Sequence, residues 1–295
     1  MSVRPPRSLR ADRATGISRI LALPMSAWLA AFFLLPLAGL VLYSFWRVQA
    51  FQIVREVSFE NYRRVFATPV NRRALVDSLI IGITTGAVTV GLALPLAWAI
   101  RFHAHKHRNR LVGLILVASM GSYLARIYSW RSILGSEGLI NWILVRTGIL
   151  GSPIEALIFN RFSVIIALVH LFLPFAFLPI YASLLSVSPS VLEAGRVLGA
   201  GPTRTFIRIG FPMASPGLVI SFIYVLIFAT GDFAAPAFLG GAEGLVAAQV
   251  IVVQFSGVYN WPLGAAMAVV YMVLLALISA VLGTYAIRRT RQMQA

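Results

Sequence analysis

Long apolar runs alternate with short polar stretches along the chain, and each run has the length of a membrane-spanning helix. Such a helix needs about 20 predominantly apolar residues. Six runs qualify: roughly Leu21–Trp46, Ser78–Ile100, Leu111–Leu134, Phe162–Leu185, Pro216–Phe238 and Leu263–Ile287. The pattern predicts an all-α integral membrane protein with six transmembrane helices in one domain, residues 21–295. A basic arm, residues 1–20, precedes it and is expected to be disordered.

Two of the runs carry packing signals. In the second run, Gly82, Thr85, Gly86 and Thr89 recur at intervals of three and four residues, which places small side chains on one helix face and favours close helix packing. The fourth run contains two prolines in the stretch PFAFLPIY, residues 174–181. A kinked helix beside a pathway and a simple packing irregularity both fit them.

The polar segment between the fourth and fifth runs has helix signals of its own. Pro189 suits a first helical turn, and Ser190 and Glu193 have the spacing of a capping box, so a short helix is expected from Pro189. Gly199 ends this helix and leaves room for a close backbone approach, and Pro202 opens a second helix. The segment is therefore predicted to be a helix-turn-helix outside the membrane.

The residues of this segment also have a specific spacing. Glu193-Ala194-Gly195 is followed by three residues, Gly199, nine residues, Ile209, one residue and Phe211-Pro212. This closely resembles the EAA loop of permease subunits of ABC importers, with Gly195 in place of an alanine and Phe211 in place of a leucine. The resemblance implies a type I importer permease (MetI-like) fold with a cytoplasmic coupling loop at residues 188–213. The contacts to a separate ATPase would fall on Glu193, Ala194, Gly195, Gly199, Ile209 and Pro212. A solvated connection between two spans is the alternative interpretation.

Four further stretches resemble the permeases of polyamine (spermidine/putrescine) importers. They are SYLARIYSW, PFAFLPIY, GDFAAPAFLGG and NWPLGAA, and the resemblance runs from about residue 21 to the end. It implies a bacterial cytoplasmic membrane protein that works with a second, related permease subunit, two copies of an ATPase that binds ATP and Mg²⁺, and an external solute-binding protein. Asn260 stands where this family is expected to have Asp, and permeases for opines, thiamine or ferric iron share part of the pattern.

Composition and charge agree with a membrane protein. With 59% hydrophobic and 12% charged residues, the chain is too apolar for an ordinary soluble domain. The net charge of +16 needs no nucleic acid partner, because arginines cluster at residues 4–19, 101–110, 196–208 and 288–291, all on one side of a six-span topology. The positive-inside rule then places both termini in the cytoplasm, where the arm contacts anionic lipid. Six arginines in residues 47–73 oppose the rule, and Ser58–Phe66 is predicted to be an amphipathic helix on the outer surface.

The sequence contains no sign of enzyme chemistry or of a resident cofactor. Lys106 is the single lysine and has no glycine-rich loop before it, so the chain lacks a phosphate-binding P-loop and cannot use ATP through one. His103, His105 and His107 alternate in a short basic loop without a carboxylate or cysteine, so no metal site is predicted. No catalytic triad or carboxylate pair occurs within the spans.

A basic and an acidic residue, Arg126 and Asp232, lie deep within two of the apolar runs. Arg126 is about 22 Å along the helix axis from Leu111, and Asp232 about 24 Å from Pro216, so they reach similar depths. Burying a charge at such a depth in the membrane costs free energy. Two explanations are open: an Arg126–Asp232 ion pair, or a substrate-binding role for Asp232.

The candidate site residues follow from the expected solute. A cationic solute favours carboxylates and aromatic faces over arginines. The candidates for the translocation path are therefore Asp232, Tyr123, Trp130, Tyr224 and Phe233. Membrane core packing is the alternative role for the aromatic residues. An ion-coupled secondary transporter is the alternative class, but such transporters have several buried acids, and here the spans contain Asp232 with only Asp77 at an edge.

Overall fold

The fold is almost entirely helical. The structure is a computed structural model that describes residues 8–49, 52–104 and 106–294, with side chains from Pro24 onward except 196, 286, 287 and 289–294. Its helices are α1 (Ser8–Ser44), α2 (Glu60–Ala67), α3 (Pro69–Phe102), α4 (Arg108–Ser119), α5 (Tyr123–Leu134), α6 (Leu139–Arg146), α7 (Arg161–Leu185), α8 (Pro189–Val197), α9 (Pro202–Thr205), α10 (Phe211–Gly231), α11 (Ala247–Ser256) and α12 (Trp261–Gln294). A small antiparallel hairpin of β1 (Arg47–Gln49) and β2 (Gln52–Val54) follows α1.

The predicted membrane spans are present. Within the described residues, five helices are long and apolar enough to cross a membrane: Pro24–Ser44, Pro69–Phe102, Arg161–Leu185, Pro202–Gly231 and Trp261–Tyr285. A sixth span is formed if α4 and the helices that follow it are counted together, although they are bent by 88° at the break after Ser119. The prediction of an all-α membrane bundle is confirmed.

The boundaries of several spans differ from the prediction; the second span, for example, begins at Pro69 and not at Ser78. The first helix reaches back to Ser8, so the predicted disorder is wrong for residues 8–20, where Leu, Ala and Arg favour a helix; residues 1–7 lie outside the described residues. The third span is broken between Ser119 and Tyr123. The fifth begins at Pro202 and ends at Gly231, so its predicted continuation to Phe238 is wrong.

Helices α3, α7 and α10 form the core of the bundle, and small residues let them approach closely. A Cβ at Gly82 would overlap Thr230, and one at Gly86 would lie 3.0 Å from Phe222, so the predicted small-residue face packs against α10. Gly217 of α10 packs on the backbone of Pro179 in α7, where the Ser221 hydroxyl also donates to the carbonyl of Ala176 (2.7 Å). One proline of α7 thus lies at a helix–helix contact.

An ion pair with a buried carboxylate links the ends of α3 and α7 that lie away from residues 188–213. Arg161 Nη2 lies 2.8 Å from Asp77 Oδ1, and the Asp77 side chain is 3% exposed. Arg161 Nε also donates to the carbonyl of Glu243 (3.3 Å). Asp77, predicted to lie at the edge of a span, is therefore buried and paired.

The predicted amphipathic helix before the second span is present as α2. Asn61 donates to the carbonyls of Ser44 (3.0 Å) and Trp46 (2.7 Å), and thereby caps the end of α1. Val65 on the same helix is fully buried. The apolar face of α2 therefore packs on the protein, because the asparagine ties the helix to the end of α1.

Candidate functional site

A cavity of about 750 Å³ opens where the third and fifth spans are both broken. Its wall comes from the break after α4, from α5, from the middle of α7, and from the end of α10 with the residues that follow. The lining residues are Ser119, Gly121, Tyr123, Arg126, Leu171, Phe172, Phe175, Tyr224, Ile227, Phe228, Gly231, Asp232, Phe233 and Ala234. Irregular backbone at membrane depth is tolerated where it lines a cavity of this kind.

Arg126 stabilises the break in the third span. Its Nη2 donates to the carbonyls of Ser119 (3.3 Å) and Gly121 (2.9 Å), which the interruption of the helix leaves without partners. A cation at a helix C-terminus is also favoured by the helix dipole. Ser122 caps the next helix by accepting from the backbone N–H of Ala125 (3.4 Å). Arg126 therefore has a structural partner within its own span.

Asp232 stabilises the break in the fifth span. It follows Gly231 in an extended conformation (φ −73°, ψ 127°) and ends α10. Its Oδ1 accepts from the backbone N–H of Ala235 (2.9 Å), and its Oδ2 accepts a hydrogen bond from the hydroxyl of Tyr123. The carboxylate thus starts the next helical turn and ties it to α5.

A cluster of aromatic rings from α7 and α10 also lines the cavity. Tyr224 stacks on Phe228 (centroids 4.4 Å apart) and on Phe175 (5.9 Å), and Phe172 lies 6.2 Å from Phe228. Three of these residues were not among the predicted candidates: Phe172, Phe175 and Phe228. Phe172 and Phe175 are three positions apart, and Tyr224 and Phe228 four, so each pair shares a helix face, but ordinary core packing in a membrane helix has the same spacing.

Four predicted path residues meet in this cavity: Tyr123, Tyr224, Phe233 and Asp232. Trp130 does not line it; its indole N–H donates to His170 Nδ1 (3.2 Å). The alternative ion pair is not formed between the two described side chains, since Arg126 bonds backbone carbonyls and Asp232 bonds Tyr123 and Ala235. The matched depths of Arg126 and Asp232 thus reflect two breaks that border one cavity.

The segment of residues 188–213 is a helix-turn-helix, as predicted. Helix α8 begins at Pro189, and Gly199 has φ +79°, a left-handed conformation that favours glycine. Nothing lies within 4 Å of a Cβ built at Gly199, so its predicted role in a close approach is wrong; the turn itself requires the glycine. The close approach occurs at Gly195 instead, whose Cβ would lie 3.1 Å from Ile209.

The second helix of this segment is continuous with the membrane span. Helix α9, a π-helical turn at Phe206–Gly210 and α10 follow one another without interruption as Pro202–Gly231. Pro212, the last residue of the predicted motif, therefore lies inside the span's first turns. Glu193 and Ala194 are exposed, and Val197 and Leu198 are each 87% exposed at the tip.

The loop with three histidines gives no metal site in the part of the chain that can be described. No group of three or more metal-binding side chains occurs there, and His105 lies outside the described residues. Asn260, which stands where Asp was expected, caps α12 by accepting from the backbone N–H of Leu263 (3.2 Å).

Comparison with known proteins agrees with this architecture. Residues 65–292 match the family described as "Binding-protein-dependent transport system inner membrane component". The chain belongs to this family. It is 33% identical over 251 residues to the spermidine/putrescine transport system permease protein PotB of Escherichia coli, covering 85% of this chain and 90% of PotB. PotB of Haemophilus influenzae is also 33% identical, over 222 residues, which cover 75% of this chain and 77% of that protein.

Solved structures show the same fold. A chain of a bacterial ABC transporter that imports the acidic polysaccharide alginate superposes with a TM-score of 0.77 at 16% identity, covering 96% of this chain and 99% of that chain. The MetNI methionine ABC transporter gives a TM-score of 0.56 at 18% identity, covering 75% and 97%. The predicted importer permease fold is confirmed, and this multi-pass inner membrane component is an ABC importer permease of the PotB type rather than an ion-coupled secondary transporter.

Proposed function

We propose that this permease forms part of the path by which an ATP-driven importer moves a small cationic solute such as spermidine or putrescine. The similarity to PotB supports this class of solute. The complex would contain a second, related permease, two copies of an ATPase that binds ATP and Mg²⁺, and an external solute-binding protein. Both termini and residues 188–213 would face the cytoplasm, in agreement with the distribution of arginines in the sequence.

The observation that carries the proposal is the position of Asp232. It is the one carboxylate among the described residues that line the cavity, and it shares this cavity with a cluster of aromatic rings. A carboxylate and aromatic faces together suit an alkyl ammonium group, since both attract a cation and the rings accept its methylene chain. Tyr123 holds the carboxylate in place, and an arriving ammonium would compete with its hydroxyl.

The second permease would complete the cavity. Phe228 and Phe233 are 51% and 52% exposed in the single chain. Exposed aromatic side chains beside a cavity are expected where another subunit covers them. A path between two related permeases would then open alternately to either side as the helices tilt.

The ATPase would act on the segment of residues 188–213. Val197 and Leu198 project from its tip, whereas most of the surrounding side chains are polar or small. An exposed apolar tip on a polar segment suits insertion into a groove of a partner. Glu193 on the same helix is exposed and is available for a polar contact.

The solute assignment is tested by uptake of labelled putrescine into proteoliposomes that contain the full complex, ATP and the binding protein. Asp232→Asn is expected to lower the rate about tenfold or more, the order of a lost contact to a charged group. Glu243→Gln, which changes an exposed carboxylate outside the cavity, is the matched control. Wild-type uptake by Asp232→Asn would exclude the carboxylate as a solute contact.

The coupling role has its own test. Glu193→Lys is expected to abolish the stimulation of ATP hydrolysis by loaded binding protein while the subunits still co-purify. Stimulation at the wild-type level would exclude a coupling role for this part of the segment.

A second solute class is favoured by Arg126. It lines the same cavity, and its Nε is buried without a hydrogen-bond partner among the described residues. A cavity with a carboxylate and a guanidinium also suits a solute that carries an amine and a carboxylate, such as an opine. Arg126→Gln separates the two classes by the ratio of the two uptake rates. Loss of the hydrogen bonds to Ser119 and Gly121 should lower both rates alike, whereas only uptake of the amino carboxylate should be abolished.

A further inference from the structure

The last turn of α3 contacts the residues that immediately precede the coupling segment, residues 188–213, and it also contacts the segment itself near its second end. Just before the first end, where α7 leads into the segment, Arg101 Nε donates to the carbonyl of Leu184, and its Nη2 to the carbonyl of Val187, both at 3.3 Å. Leu184 and Val187 are fully buried, so these carbonyls close α7 inside the protein. Carbonyls at a buried helix C-terminus need such donors.

The same turn of α3 packs on the second end of the segment. The Trp98 ring meets the Phe206 ring edge to face at 5.0 Å, and a Cβ at Gly210 would overlap the Trp98 ring. Phe206 and Gly210 bound the π-helical turn that joins α9 to α10. A π-helical turn marks a local irregularity in a helix and frequently occurs at functional sites.

Phe102 links the two contacts on α3. Its ring lies 4.4 Å from that of Trp98, and the guanidinium carbon of Arg101 lies 5.1 Å from the centre of the Phe102 ring. Trp98, Phe102 and Arg101 are therefore one cluster on one helix end, which we name the α3 clamp.

We propose that the α3 clamp makes the coupling segment and α3 move together, with Arg101 and Trp98 as the positioning residues. The segment is covalently joined to α7 and α10 but not to α3. Without the clamp, a push on the segment would reach α3 only through contacts along the spans. With it, the push acts on all three helices of the core. The proposal rests on the proposed coupling role of the segment.

The test uses the assembled complex in proteoliposomes and measures ATP hydrolysis with and without loaded binding protein. Arg101→Gln and Trp98→Leu are each expected to lower the stimulation ratio at least about threefold, with basal hydrolysis and co-purification unchanged. Arg101→Lys is expected to be intermediate, because one ammonium cannot reproduce the fork that spans the two carbonyls. Arg110→Gln is the matched control, since Arg110 is an exposed arginine at the start of α4, the helix that follows α3.

The outcomes separate this proposal from the one on which it rests. Wild-type stimulation in both Arg101→Gln and Trp98→Leu would overturn the clamp. If Arg101→Gln fails to assemble, Trp98→Leu decides by the same ratio, and a wild-type value overturns the clamp. If Glu193→Lys abolishes stimulation while the two clamp variants do not alter it, the clamp alone is wrong. Unchanged stimulation in Glu193→Lys would instead remove the coupling role itself.

Discussion

The hydroxyl of Tyr123 donates a hydrogen bond to the carboxylate of Asp232, and this bond joins the break in the third span to the break in the fifth. Tyr123 is the first residue of α5, and Asp232 caps the helical turn that follows α10. Both helical segments restart inside the bundle. This hydrogen bond thus links two interrupted helices at the cavity.

Removing this bond should destabilise the break. Tyr123→Phe leaves the Asp232 carboxylate with only the N–H of Ala235, and hydrogen bonds to charged groups contribute about 1.5–3 kcal/mol. We expect the free energy of unfolding to fall by about that amount, measured as a lower thermal unfolding temperature of the purified complex in detergent.

Tyr128→Phe is the control for this substitution. Tyr128 lies on the same helix and packs on Phe238 through its ring (4.9 Å). Equal losses of stability in the two variants would mean that the hydrogen bond to Asp232 contributes no more than the loss of a tyrosine hydroxyl elsewhere on α5.

The bundle and the segment of residues 188–213 could be predicted from sequence because their signals are local. Run length gives spans, and the proline and glycine positions give helix starts and a turn, as Pro189 and Gly199 show. The breaks could not be predicted this way. The residues around Gly121 and Asp232 are apolar enough to continue a helix, and the interruptions depend on tertiary contacts from Arg126 and Tyr123.

Only some of the residues that line the cavity could be predicted from the sequence. Tyr123 and Asp232 stood out by residue type, since a carboxylate inside an apolar run is rare. The ring wall of Phe172, Phe175 and Phe228 could not be told from ordinary membrane core without knowing which face of α7 meets α10. Trp130 was chosen by type as well, and its bond to His170 places it elsewhere.

The contact between α7 and α10 should not tolerate a larger residue at Gly217. A Cβ there would overlap the carbonyl of Pro179 and lie 2.6 Å from Ser183 Oγ. Gly217→Ala is expected to cost about 1–3 kcal/mol through overpacking, measured by thermal unfolding. Gly91→Ala is the control because nothing lies within 4 Å of its Cβ, and it should be neutral or stabilising. A similar response at both positions would contradict the close approach.

The ion pair of Asp77 and Arg161 should show strong coupling. The Asp77 side chain is 3% exposed, although that of Arg161 is 37% exposed, so removing Arg161 leaves a buried carboxylate without its 2.8 Å partner, which costs about 1–3 kcal/mol. Asp77→Asn and Arg161→Gln are each expected to destabilise the protein, whereas the double variant should lose less than the sum. A double-mutant cycle of unfolding free energies measures this difference.

Arg73 supplies the comparison for that cycle. Its Nε lies 3.6 Å from Asp77 Oδ2, but its side chain is 59% exposed. Arg73→Gln should therefore change stability by no more than about 1 kcal/mol. A loss of stability as large as that of Arg161→Gln would mean that Arg73 contributes as much as Arg161 to the stabilisation of Asp77.

The sidedness of the segment of residues 188–213 can be tested directly, because the chain contains no cysteine. Leu198→Cys places a thiol at the exposed tip of the segment, and Val57→Cys places one on the opposite side of the bundle, where Val57 is 79% exposed. A membrane-impermeant maleimide should label Val57→Cys in intact cells and Leu198→Cys only in inverted vesicles. Uptake measured before labelling shows that each variant is folded. Labelling of Leu198→Cys from outside intact cells would place the segment beyond the reach of a cytoplasmic ATPase, and the proposed coupling would then be wrong whatever the solute.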